Sequence, residues 1–329
     1  MPIPVIFALA VIVGLALLWR QGALGDVAGA VRAADAPLVV AGFLLYLVGL
    51  ALLSLRWHLL VILTHGRSDP ARAAEAFLTS VVINYAAPIG LAVPTRAALT
   101  KRALGLSMAE TGAVAFWEIV ADVVVLGAIA AVWLLLVLGQ ASVVIDAVGP
   151  AGPWVAGAMV GLGAVAGAVG LGVGPVRRRV ARVAGGAWSY PRRRPGLAAG
   201  ILAVTAAYWV AQGVTLAVFL VAFGVGVSPV LVTGLTGLPV LVGMLSPVPG
   251  GAGVREALMV AVARVHGADG GEVLMAALAY RVALFAAIPV LYGLVRLWLA
   301  RRTRAPAGAG GRPARPGPDA GDPPVGPDA

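Results

Sequence analysis

Few residues of this chain could do chemistry, and most of them are set in apolar surroundings. Arg56, Glu118, Asp122, Glu256 and Arg281 lie in or beside apolar runs, and Arg281 sits in LAYRVAL with apolar neighbours on both sides. A lone charge at the centre of a bilayer costs at least ~2.5–3.5 kcal/mol, so such residues pair or face a cavity. Glu118 and Asp122 are four apart and share one helix face. The simplest pairing puts Arg281 against Glu118 or Asp122, with Arg96 and Glu256 as a second pair. One reading of these charges is structural, as ion pairs that fix helix packing. The other is a polar route for a charged headgroup, because the charges gather around two Pro/Gly breaks. Arg56, in SLRWHLL, reads as a side chain that snorkels to the cytoplasmic interface.

Other chemistries are excluded by composition. The chain has no cysteine, which removes disulfides, thiolate metal sites and a Cys nucleophile. His58, His65 and His266 are scattered without ligand spacing, so no metal or other cofactor is expected. There is no G-x-x-x-x-G-K-[ST] loop and no G-x-S-x-G elbow.

The elements that position these charges follow from hydropathy. Of 329 residues, 60% are hydrophobic and 12% charged, about half the charged share of a soluble domain. Mean hydropathy is +0.97. Apolar runs cover 3–19, 37–64, 76–93, 111–138, 153–173, 197–223, 229–249 and 272–299. A bilayer crossing takes about 20 helical residues, so the expected fold is all-α, a polytopic membrane helix bundle. The net charge of +10, from 24 basic and 14 acidic residues, then marks loops on an anionic membrane surface, not a nucleic-acid partner.

Two runs are interrupted. Run 76–93 holds Asn84, Pro88 and Gly90, and run 229–249 ends in Pro247, Pro249, Gly250 and Gly251. Each leads into a shorter helix, roughly 95–105 and 254–266. Broken helices at membrane depth are tolerated where they are buried in protein or line a cavity, so both read as re-entrant hairpins beside about six full spans. Charge counting agrees. Stretch 174–196 carries Arg177, Arg178, Arg179, Arg182, Arg192, Arg193 and Arg194, and the C-terminal flank has Arg296, Arg301, Arg302 and Arg304. Both are cytoplasmic by the positive-inside rule, which requires 229–266 to enter from outside and return. The same counting puts 65–75 and 94–110 inside, with 76–105 re-entering from the cytoplasm, and both termini inside, in the plasma membrane.

The halves about 1–150 and 151–302 look related. Each has a Pro/Gly break, a short helix ending at Gly105 or Gly267, and a long span carrying Glu118 or Arg281. With three full spans each, the halves have opposite orientations, as in inverted-repeat transporters. The run Pro249-Gly250-Gly251 reads either as a loop turn or as an unwound tip whose amides, with Arg255 and Glu256, meet an anionic group such as phosphate. Gly157, Gly161, Gly163 and Gly167 give a close-packing spacing. Trp57, Trp117, Trp154 and Trp298 fit interfacial anchoring. Residues 303–329 read as a disordered Pro/Gly/Ala-rich tail.

SPVPGGAGVREALMVAV, the G-x-D at Gly267, and AALAYRVALFAAIPVLYGL resemble the second half of the lysylphosphatidylglycerol synthase transmembrane (flippase-like) family. Arg56-Trp57, Asn84, Pro88, Arg96 and the pair Glu118/Asp122 resemble its first half. The chain departs from the family pattern at PIGLA, where P-G-x-x-G is usual, and at Ile119, where Arg is usual. The resemblance spans about 5–300. It implies an integral membrane domain that moves lipids, such as aminoacylated phosphatidylglycerol, between leaflets. The chain stops where the soluble aminoacyl-transferring domain of the synthases would begin, so the expectation is a stand-alone translocating unit.

Three functions stay open on the sequence. The first is a translocase of an anionic or aminoacylated phospholipid or a lipid-linked precursor. Its path would be lined by Asn84, Pro88, Arg96, Glu118, Asp122, Pro249, Gly250, Gly251, Arg255, Glu256 and Arg281. The second is a membrane-embedded transferase acting on a lipid phosphate, with paired carboxylates as base and metal ligands. The third is a scaffold for a separately encoded partner enzyme.

Overall fold

The computed structural model describes residues 32–86, 101, 104–137, 186–245 and 254–304. Their helices, in chain order, are α1 (Ala36–His65), α2 (Pro70–Ala86), α3 (Met108–Val137), α4 (Ser189–Arg193), α5 (Pro195–Ala222), α6 (Pro229–Leu245), α7 (Val254–Val265) and α8 (Gly270–Arg304). There is no strand among the described residues. The spans expected at 3–19 and 153–173, most of the helix at 95–105, and the tail beyond 304 lie outside them.

Three of the described helices are long and apolar enough to cross a membrane: Ala36–His65, Ala109–Val137 and Pro195–Ala222. The 30 residues of α1 make about 45 Å at 1.5 Å per residue, more than the ~30 Å hydrocarbon core. The 17-residue α6 is shorter and carries Pro239 within it.

Helix ends are set by local chemistry. The Asp35 carboxylate accepts from Leu38 N–H with Pro37 in the first turn, and Gly66, at φ 87°, ends α1 in the left-handed conformation that favours glycine. Ser107 and Glu110 form a reciprocal capping box at the start of α3, Ser107 N–H donating to Glu110 Oε2 at 2.7 Å and Glu110 N–H to Ser107 Oγ at 3.2 Å. Glu110 Oε1 lies 2.9 Å from His65 Nδ1, which ties the start of α3 to the end of α1.

Lipid tails are as apolar as leucine, so helices in a bilayer associate through close packing at small residues more than through burial from water. The bundle follows this rule. A Cβ on Gly42 would come 2.9 Å from the Phe219 ring, and one on Gly49 would come 3.3 Å from Gln212 Oε1. Seven residues forward on α1 are seven residues back on α5, so the two pack antiparallel in a fixed register. Gly234 and Gly237 of α6 do the same against Trp133 and Ala130 of α3. The core between the helices holds Trp57, Phe77, Phe219, Leu220, Leu235 and Met259, all fully buried. Trp57 therefore departs from its interfacial expectation and packs in the core against Phe77. Trp298 is 46% exposed, and Trp117 stacks on Trp188 near the start of α5.

The contacts fix helix directions. The end of α1 meets the start of α3 through His65 and Glu110, and meets the start of α5 through Arg194, whose guanidinium donates to the Ile62 carbonyl at 2.8 Å. Arg67, Arg72, Arg192, Arg193 and Arg194 gather at this end, which is the basic end of the bundle. Arg296, late in α8, bonds Glu75, early in α2, and brings the C-terminal part of α8 to the same end. At the opposite end, α6 begins beside the close of α3. Trp133 touches Gly234 and also donates its indole N–H to His266 Nε2 at 3.0 Å. His266 directly follows α7, so α6 runs inward from this end and α7 returns to it.

Candidate functional site: two charge clusters inside the bundle

The first cluster is built on Arg56 of α1. Its guanidinium takes both oxygens of Asp122, Nη1 to Oδ1 at 2.5 Å and Nη2 to Oδ2 at 3.1 Å. Nη2 also lies 3.4 Å from Glu118 Oε1. Glu118 and Asp122 are one helical turn apart on α3, so both reach one guanidinium. Trp209 of α5 donates its indole N–H to Asp122 Oδ1 at 2.9 Å, and Arg56 lies over the Tyr208 ring at 5.9 Å, a cation–π distance. Gln212 Nε2 bonds Tyr208 Oη at 2.9 Å. Arg56 is 2% exposed. A bidentate, buried and further hydrogen-bonded pair meets the conditions under which mutual attraction offsets desolvation, and it clamps α1, α3 and α5 together.

The second cluster lies on α7 and α8. Arg281 Nη2 is 2.6 Å from Glu256 Oε1, with side-chain exposures of 29% and 16%. The Arg255 guanidinium lies over the Tyr280 ring at 5.5 Å. Tyr280 packs edge-on against Tyr46 of α1 and Phe219 of α5, so the α1–α5 pair forms the wall behind this cluster. Arg255 has no acidic partner among the described residues. The first turn of α7, whose amides have no partner within the helix itself, carries both Arg255 and Glu256.

The pairings differ from those expected from sequence. Arg281 meets Glu256, not Glu118 or Asp122, and the two acids of α3 are taken by Arg56. Arg56 is buried and paired instead of reaching to the interface. Several opposite charges stand at similar depths, and only the packing register selects among them. Asn84 falls in the last turn of α2. Pro88, Arg96, Pro249, Gly250 and Gly251 lie outside the described residues. Trp209, Tyr208, Gln212 and Tyr280 went unread in the sequence. A glutamine inside the apolar run 197–223 and a tyrosine beside Arg281 were the signals that could have found them.

The profile of the family described as Lysylphosphatidylglycerol synthase TM region matches residues 5–293. The chain belongs to this family. The match runs through both charge clusters and all the helices up to the middle of α8. With its apolar helices, this member of the lysylphosphatidylglycerol synthase TM region family is a membrane-embedded helical protein. No curated protein matches the chain, and no solved structure does.

Proposed function

We propose that this member of the family is a lipid translocase. A phospholipid or lipid-linked precursor would pass between leaflets along a polar path beside Arg255, Glu256 and Arg281. The observation that carries the reading is Arg255, a half-buried cation on the first turn of α7 without an acidic partner among the described residues. Next to it, the Arg281–Glu256 pair is partly open. A cation held among apolar helices favours an anionic ligand, and phosphate takes arginine well. Glu256 supplies the opposite charge for an aminoacylated headgroup. Arg56 is buried between α1, α3 and α5 and held by both acids of α3, so we assign Glu118 and Asp122 to holding the bundle.

The contact pattern supports an inverted repeat in which α1, α2 and α3 correspond to α5, α6 and α8. Among these six helices the contacts pair off: α1–α2 with α5–α6, α2–α8 with α6–α3, α1–α8 with α5–α3, and α1–α3 with α5–α8. The hairpin of α6 and α7 agrees with a re-entrant element from the end opposite the basic one. Asn84, Pro88 and Arg96 would be its first-half equivalent, Pro249 to Gly251 its tip, and 1–302 one membrane domain in two halves. By the positive-inside rule the basic end faces the cytoplasm of a plasma-membrane protein.

The test is lipid flipping in reconstituted vesicles. Fluorescent phosphatidylglycerol and an aminoacylated analogue are followed by chemical quenching of the outer leaflet. Quenching beyond half, lost in Arg255→Ala and in a folded Arg281→Ala, is the expected result. Quenching that stops at half for every lipid with wild-type protein overturns the translocase.

A further inference from the structure

Arg56 and Arg281 spend their N–H donors on acids. Arg56 grips Asp122 and reaches Glu118, and Arg281 takes Glu256. Arg255, one residue before Glu256, does neither. It is partly buried, and its guanidinium makes no hydrogen bond or ion pair among the described residues. It lies instead over the face of Tyr280, 5.5 Å from the ring centroid.

A ring face attracts a cation through its quadrupole. It does so without taking the directed N–H bonds that a carboxylate accepts. Arg255 is therefore held in place with its donor fork still open. The ring itself is fixed. Tyr280 is 6% exposed, with Tyr46 of α1 edge-on at 5.2 Å and 72°, and Phe219 of α5 at 6.4 Å and 86°. Phe219 sits where Gly42 lets α1 and α5 close up. The register of those two helices thus sets the plane of Tyr280 and, through it, the place of Arg255.

We propose that Tyr280 is a positioning residue of the anion site, its ring face holding Arg255 so that the guanidinium donors stay free for the phosphate of a lipid headgroup. This role rests on Arg255 meeting an anionic headgroup, as in the translocase reading, and names what keeps that arginine available. An acid in place of the ring would neutralise Arg255 and occupy its fork, as Asp122 does for Arg56.

The test is native mass spectrometry of the full chain in detergent, titrated with dioleoyl phosphatidylglycerol. The part of the binding lost in Arg255→Ala reports this site, with Arg255→Gln as the alternative should the alanine variant not fold. Position 280 is then filled with phenylalanine and with its mono-, di- and trifluorinated forms, which keep the ring's shape while draining negative charge from its face. Tyr280→Phe should bind like wild type. Affinity should fall stepwise along the fluorinated series, by about 2–30-fold in all, the span of a cation–π contact. The same series in Arg255→Ala should stay level. A ring with a purely structural role gives a level series in both backgrounds, or equal losses in both, and either result overturns the proposal. Binding that Arg255→Ala leaves unchanged overturns the anion site itself, and with it the path drawn beside Arg255. Displacement of the lipid by excess inorganic phosphate would make free phosphate the ligand and overturn the headgroup.

Discussion

Arg56 and Asp122, 66 positions apart in the chain, form a two-pronged ion pair inside the bundle. The pair joins the first described span to the second, and Trp209 joins the third span to it through Asp122. One carboxylate thus organises three spans, and the first prediction follows from that.

Removing one partner leaves a buried charge uncompensated, which costs about 3–5 kcal/mol. Asp122→Asn and Arg56→Ala should each lower the thermal midpoint of the detergent-solubilised protein sharply. Arg56→Lys should not rescue, because an ammonium cannot grip both oxygens at once. The apolar double variant Arg56→Met with Asp122→Leu should recover a large part of the loss. A double variant less stable than either single one would sink this account.

Gly237 and Gly42 both allow close helix approach, but their neighbours differ. A Cβ at Gly237 would lie 2.8 Å from the Ala130 backbone nitrogen, whereas one at Gly42 would lie 2.9 Å from the edge of the Phe219 ring. A ring can rotate away and a backbone cannot. Gly237→Ala should therefore cost about 1–3 kcal/mol and exceed Gly42→Ala. Melting the two variants side by side checks the order, and the reverse ranking would refute the α3–α6 contact.

His266 accepts the Trp133 indole N–H on Nε2, which requires the neutral ring. Burial lowers its pKa below the ordinary histidine value. The unfolded chain therefore takes up the proton first as pH falls. Stability from this contact is full above about pH 6.5 and declines as pH drops through that value toward the lower folded one. Melting temperature against pH should show this slope in wild type and a weaker one in His266→Gln. An identical slope in both would assign the dependence to other groups.

The second ion pair sets a coupling test. Arg281→Ala leaves Glu256 without its partner, and Glu256→Gln does the converse, so the double variant should be less damaged than the sum of the single ones by about 0.5–3 kcal/mol. A double-mutant cycle on thermal stability measures this. Strict additivity would remove the Arg281–Glu256 pair from the native state.

Much of the fold was legible before any coordinates. The run 37–64 became α1, 111–138 became α3, and 197–223 became α5, each within a few residues, because a bilayer demands long apolar helices and little else. The short helix read at 254–266 is α7, Val254–Val265, while the Pro/Gly break before it lies outside the described residues. The charges of both clusters were also visible as charges set in apolar runs, whereas Tyr208, Trp209, Gln212 and Tyr280 beside them were not read.

What the sequence could not determine was the partner of each charge. Arg56, Arg281, Glu118, Asp122 and Glu256 permit several matchings of similar depth and sign. The choice is made by the helix register, which Gly42, Gly49, Gly234 and Gly237 set through contacts between residues about a hundred or more positions apart. Composition and periodicity place charges on helices because those depend on local spacing. Which charges meet depends on how those helices are rotated and offset against each other, and only the tertiary packing decides that.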